Sequence, residues 1–114
     1  MPKTDWKQIT REELILAEQA RNDGNEGRAR VLARRAAGYV AYEYLLRQGI
    51  ILQSKSALER IRFLQTSAEM SPIERETFEH FLIHTTPEHR LPINADLIAD
   101  VHVLVRLLLG ETLD

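Results

Sequence analysis

The sequence predicts an all-α, single-domain bundle of about five helices arranged around a long second helix. Three observations carry that expectation. Ser/Thr-x-x-Glu capping signatures pair Thr10 with Glu13, Ser56 with Glu59 and Ser71 with Glu74, and each can satisfy orphan amides at a helix start. Gly24, Gly49 and Gly110 stand where helical patterns end, and glycine takes the left-handed C-terminal cap without steric cost. Period-2 alternation over the length of a strand is not found, so no sheet is expected.

The first helix is expected over about 11–22, with Leu14, Ala17 and Ala20 on its inner face. The second, over 26–48, can be capped by Asp23 or Asn25 and turns Ala29, Leu32, Ala33, Ala36, Val40 and Tyr44 inward. With its cap it would run about 36 Å at 1.5 Å per residue, so the remaining helices must pack around it. Ala37, Gly38 and Ala41 lie beside the Arg30/Arg34 side, where small residues let another helix approach closely.

The third helix, over 57–69, carries Leu58, Ile61 and Leu64 or Phe63. The fourth, over 72–84, has Pro72 at the favoured first position and buries Phe78, Phe81 and Leu82, with Ile73 to one side. The fifth, over 95–109, can be capped by Asn94 and buries Leu97, Ile98, Val101, Leu104, Val105 and Leu108. Val103 and Leu107 fall on its opposite face, so it is expected to be covered on two sides, in the bundle centre or at a homodimer interface. Residues 1–9 read as a lead-in and 110–114 as a tail.

A chain of 114 residues is enough for one core. Charged residues at 28% and apolar ones at 44% are ordinary for a globular protein. The longest apolar run, 103–109, is interrupted by Arg106 and is far too short to span a bilayer. The start, MPKTDWKQITREE, has no apolar signal region, and the chain has no cysteine, which excludes disulfides, thiolate nucleophiles and Cys-type zinc sites. A cytoplasmic location is the expectation, with no membrane association.

A net charge of −2 argues against a general nucleic-acid binder. Charge is nevertheless polarised along the chain. Arg28, Arg30, Arg34 and Arg35 lie within eight positions with no acid among them, whereas Glu74, Glu76, Glu79, Asp96 and Asp100 make the C-terminal half acidic. Lys3, Lys7 and Lys55 are the only lysines, and arginine suits planar, bidentate recognition of phosphate. Tyr39 and Tyr42, one turn apart, can line a pocket with Arg35. Glu76, His80 and His84 share a helical face, with His89 just beyond, but this spacing lacks the glutamate of a metalloprotease motif. No metal or cofactor is expected. Neither a hydrolytic triad nor a glycine-rich phosphate loop occurs.

The run Ala20, Gly24, Ala29, Ala33, Arg34, Arg35 and Ala36, followed by Tyr39, Tyr42 and Tyr44, resembles the long helices of HEPN-type domains. The segment Thr86-Pro87-Glu88-His89-Arg90-Leu91-Pro92 before the last apolar helix is similar to the arginine-bearing loop of those domains, so the likeness covers roughly residues 15–110. It implies an all-α bundle, usually dimeric, found as ribonuclease toxins, as partners of nucleotidyltransferases, or as non-catalytic modules for nucleotides or RNA. Catalytic members carry Arg-x4–6-His, completed across a dimer, and Arg75-x4-His80 matches that pattern. Arg90 has Ala95, Asp96 and Leu97 at the same offsets, none of them histidine. Residues five apart on a helix differ by about 140° in direction, so one protomer could not bring Arg75 and His80 to one phosphate.

The expectation is therefore a HEPN-like, non-catalytic binding module, a homodimer, with Arg30, Arg34, Arg35 and Arg90 as contacts for a nucleotide or RNA phosphate. One alternative is a metal-independent ribonuclease toxin in which Arg75 stabilises phosphate charge and His80 moves the proton. The other is a structural subunit that binds another protein, such as a nucleotidyltransferase, through helix five.

Overall fold

Local capping chemistry sets where each helix begins. The computed structural model describes residues 5–54, 56–83 and 95–114. These form α1 (Trp6–Asn22), α2 (Glu26–Arg47), α3 (Ala57–Gln65), α4 (Pro72–Leu82) and α5 (Leu97–Leu109), with no strand among the described residues. Asn25 caps α2 by accepting from the Arg28 amide, and the Ser56 hydroxyl accepts from the Glu59 amide at the start of α3. At α4 the capping box is complete: Glu74 N–H donates to Ser71 Oγ at 3.3 Å, Ser71 N–H donates to Glu74 Oε1 at 2.8 Å, and Pro72 opens the helix. Gly24, Gly49 and Gly110 all have positive φ, at 79°, 70° and 63°.

Two helix starts differ from the expectation. Helix α1 begins at Trp6, capped by Asp5, whose carboxylate accepts from the Gln8 amide at 3.1 Å. Thr10 is therefore inside the helix and fully buried, and the Thr10–Glu13 box does not form. The earlier start lets Trp6 pack against the core. Helix α5 begins at Leu97, not 95, because Asp96 accepts from the amides of both Ile98 and Ala99. Asn94, the cap expected there, lies outside the described residues.

Three helix ends are earlier than expected, that of α2 by a single residue, at Arg47. Helix α3 stops at Gln65 because the Thr66 hydroxyl bonds back to the carbonyls of Arg62 and Phe63, competing with helix continuation. Helix α4 stops at Leu82, where the β-branched Ile83 is already extended.

Helix α2 is the hub: α1, α3 and α5 pack on it, while α4 bridges α3 and α5. Ala29, Ala33, Ala36, Ala37 and Val40 have no exposure at all, and Leu32, Ala41 and Leu45 almost none. Such small residues surround α2 with bulkier ones from its neighbours, among them Leu14, Ile61, Leu64, Phe78, Phe81, Val101 and Leu104, in one apolar cluster. Of the expected core positions, Tyr44, Leu58, Leu82 and Leu108 are half-buried and Ile73 is exposed; on α3, Leu64 and not Phe63 is the buried alternative. Helix α5 is not the central one. Its Leu107 remains 39% exposed, with Val103 half-buried. Residues after α5 are not a loose tail, since Leu113 is buried and its carbonyl accepts from Arg11 at 2.5 Å.

Helices α2 and α3 cross closely at Gly38. A Cβ at Gly38 would lie 2.5 Å from Ala57 Cβ and 3.0 Å from Ala57 Cα, and the backbone atom cannot turn aside. Arg21 ties the opposite end together, pairing with Glu26 at 2.9 Å and with Asp96 at 3.1 Å. Burial opposes ionisation of Asp96, but the Ala99 amide, Arg21 and the Ile98 amide outweigh it and hold the carboxyl below its ordinary pKa.

Gly38→Ala is expected to lower stability by about 1–3 kcal/mol through overpacking, although alanine is the better helix former. Gly27→Ala on the same helix, where a Cβ would meet only Asn25 Oδ1 at 3.8 Å, is expected to be neutral or to stabilise by up to about 1 kcal/mol; urea midpoints compare the two. Asp96→Ala is expected to cost about 0.5–2 kcal/mol at neutral pH. Because the folded pKa is lowered, the stabilisation by Asp96 is fully present above the ordinary carboxylate range. It is lost as pH falls through the lower folded value, so wild-type and Asp96→Ala stabilities should converge in acid.

Candidate functional site

Four arginines were expected to contact one phosphate, and of the three that are described the fold separates Arg35 from Arg30 and Arg34. Arg30 and Arg34, one turn apart on α2, line one cleft of about 510 Å³ at the amino end of that helix, beside Asn25 and Gly27. Arg30 is buried. Arg34 is half-buried, and its Nε–H donates to the Phe81 carbonyl at the end of α4 at 3.1 Å. Burial first, and the neighbouring Arg30 charge second, lower the pKa of Arg34. No carboxylate of the described residues lies within ion-pair distance of Arg34. Glu26 also lines this cleft, but both its oxygens are engaged by Arg21, at 3.0 and 2.9 Å.

Arg35 points elsewhere. It reaches α1, where it pairs with the largely buried Glu13 at 3.3 Å. Arg90 lies outside the described residues. The structure thus brings together two of the proposed phosphate contacts, Arg30 and Arg34, and sends Arg35 to another helix.

Arg75 and His80 are held by different elements. Arg75 folds back from the start of α4 and donates from Nε to the Met70 carbonyl at 3.1 Å and from Nη2 to the Ser67 carbonyl at 2.8 Å, closing the α3–α4 connection. His80 Nδ1 lies 3.0 Å from Asp100 Oδ2 on α5. Burial pushes the Asp100 pKa up, partly offset by the hydrogen bond from His80. Within one chain the two side chains therefore serve two helix junctions. Among the described residues no group of three His, Asp or Glu is placed to hold a metal ion, and His84 and His89 lie outside them. No described helix is long and apolar enough to cross a membrane.

A second and larger cleft, about 720 Å³, opens between α1, α2 and α3. Tyr39 and Tyr42 line it, as their one-turn spacing anticipates, but their arginine neighbours are Arg47 and Arg60 in place of Arg35. Trp6 closes the α1 side. The Arg60 guanidinium stacks 4.6 Å from the Tyr42 ring centre. Its Nε is buried without a hydrogen-bond partner, a state that typically costs about 1–3 kcal/mol. Sequence reasoning missed Trp6 and Arg60. For Trp6 a signal was present, since Asp5-x-x-Gln8 is itself a capping pattern that extends α1 back to the tryptophan. For Arg60 there was none, because Tyr42 is remote in sequence.

No known protein family, no curated protein and no solved structure matches this chain.

Arg75→Gln is expected to behave as a structural lesion. Losing two guanidinium–carbonyl hydrogen bonds at the α3–α4 connection should lower stability by about 1–2 kcal/mol, read as a reduced urea midpoint with unchanged far-ultraviolet dichroism.

Proposed function

We propose that this chain is a HEPN-like, non-catalytic helical binding module that takes a phosphate group, of a nucleotide or of RNA, in the cleft at the amino end of α2. The observation that carries this reading is the setting of Arg34. Its guanidinium is half-buried beside a second arginine, is anchored through Nε to a backbone carbonyl, and has no described carboxylate within ion-pair distance. Anchoring by Nε leaves the Nη edge for bidentate contact with a phosphate. Because burial and Arg30 both disfavour the Arg34 charge, an anion there would relieve a cost that the fold otherwise carries. The cleft also sits at the first turn of α2, where the helix dipole favours negative charge.

The rival reading, a ribonuclease using Arg75 and His80, has less support because both side chains already make structural bonds to the α3–α4 connection and to Asp100.

The test is fluorescence anisotropy with a labelled single-stranded RNA oligomer and a nucleoside diphosphate as competitor, at low ionic strength. Arg34→Gln is expected to weaken binding about ten- to a hundredfold, the range for loss of a charge-assisted hydrogen bond. His80→Ala should leave both the affinity and the length of the RNA unchanged. Unaltered affinity in Arg34→Gln, or cleavage by the wild type that His80→Ala abolishes, would overturn the proposal.

A further inference from the structure

We infer that the larger cleft, between α1, α2 and α3, is a separate binding site for a planar aromatic ligand carrying one negative charge. The inference does not rest on the Arg30/Arg34 reading. The two clefts share no lining residue, and the α2 lining of one ends at Arg34 and of the other begins at Tyr39, about 7.5 Å further along the helix axis.

Size and shape come first. A volume of about 720 Å³ lies within the roughly 300–1,000 Å³ typical of small-molecule sites. Trp6, Tyr39 and Tyr42 supply aromatic walls, with Ile9 and Leu46 between them. Flat walls of this kind favour a flat guest, which can stack in an offset or edge-to-face arrangement.

Charge decides the rest. Two cations and one anion line the cleft: Arg47, Arg60 and Glu43. Arg47 is committed, pairing with Glu43 at 2.8 Å and with Glu111 at 2.6 Å, while Glu111 also holds Lys7 at 3.0 Å. Arg60 is different. It makes no ion pair with a described carboxylate, its guanidinium carbon sits over the Tyr42 ring at 4.6 Å from the centre, and its Nε–H is buried without an acceptor. A neutral apolar guest would leave the Arg60 charge without a counter-ion, and a cation would meet two arginines. A single carboxylate or phosphate on an aromatic ring can pair with the Arg60 guanidinium, which has no described carboxylate within ion-pair distance, and lets the ring share the contact already formed by Arg60 and Tyr42.

The test uses 2-naphthoate as the aromatic anion, 2-naphthalenemethanol as its neutral counterpart and hexanoate as a non-aromatic anion, each titrated by calorimetry. Trp6 is the only tryptophan in the chain, so its emission, excited at the red edge, reports on the same cleft. Naphthoate is expected to saturate below about 1 mM, as a ligand of this size allows, with the alcohol and hexanoate at least tenfold weaker. Arg60→Gln should weaken naphthoate at least tenfold, and Tyr42→Leu, which keeps apolar bulk but removes the stacking face, should weaken it several-fold. Arg34→Gln should leave naphthoate binding unchanged, which separates this site from the phosphate cleft. Equal binding of acid and alcohol, absence of saturation, or an unaltered affinity in both Arg60→Gln and Tyr42→Leu would overturn the inference. Should Arg60→Gln fail to fold, the Tyr42→Leu result and the acid–alcohol comparison decide it.

Discussion

The near-contact of Gly38 with Ala57 is the constraint on which the bundle depends, because it lets α3 lie against a helix that α1 and α5 already cover. A helix approached from several sides cannot carry large side chains on all of them. Helix α2 answers with alanine at 29, 33, 36, 37 and 41 and glycine at 38, and the volume of the core is supplied by leucine, isoleucine and phenylalanine from its neighbours. Close-packed interiors require this large-against-small complementarity, since neither voids nor overlaps are tolerated cheaply.

The same arrangement decides where charge can go. With so much of α2 consumed by packing, its arginines lie at helix margins, and three of them are given a carboxylate or a carbonyl that limits the cost of burial. Arg34 takes the Phe81 carbonyl, Arg35 takes Glu13, and Arg47 takes Glu43 and Glu111. The exposed ion pairs contribute little energy each. Their effect is positional: Arg21 joins the α1–α2 turn to the start of α5 through Glu26 and Asp96, while Glu111 draws Lys7 and Arg47 to the residues after α5. Two clefts result at the two ends of α2, one lined by arginine and backbone, the other by aromatic rings and arginine.

Polar side chains that read as functional in the sequence divide into those the fold employs and those it leaves facing a cleft. Arg75 closes a helix connection, and His80 joins α4 to α5 through Asp100. Arg34 and Arg60 remain turned to concave surface with no described carboxylate within ion-pair distance. That difference, and not residue type, is what separates structural cations from candidate ligand contacts here.

The amino-acid sequence by itself determined the helical class and most of the helix limits. Caps at Asn25, Ser56 and Ser71 and the left-handed glycines act over three or four residues, so their chemistry is complete within the local segment. Periodicity likewise marked the buried alanines of α2 and the stripe of α5. It misplaced the start of α1 because two cap patterns, at Asp5 and at Thr10, compete five residues apart, and only the packing of Trp6 on the core selects the first. What the tertiary structure alone decided is partnership: Arg35 with Glu13, Arg34 with the end of α4, Arg60 with Tyr42. Those pairs join different helices, and the crossing geometry that brings them together depends on the volume of every side chain between them, which no local pattern encodes.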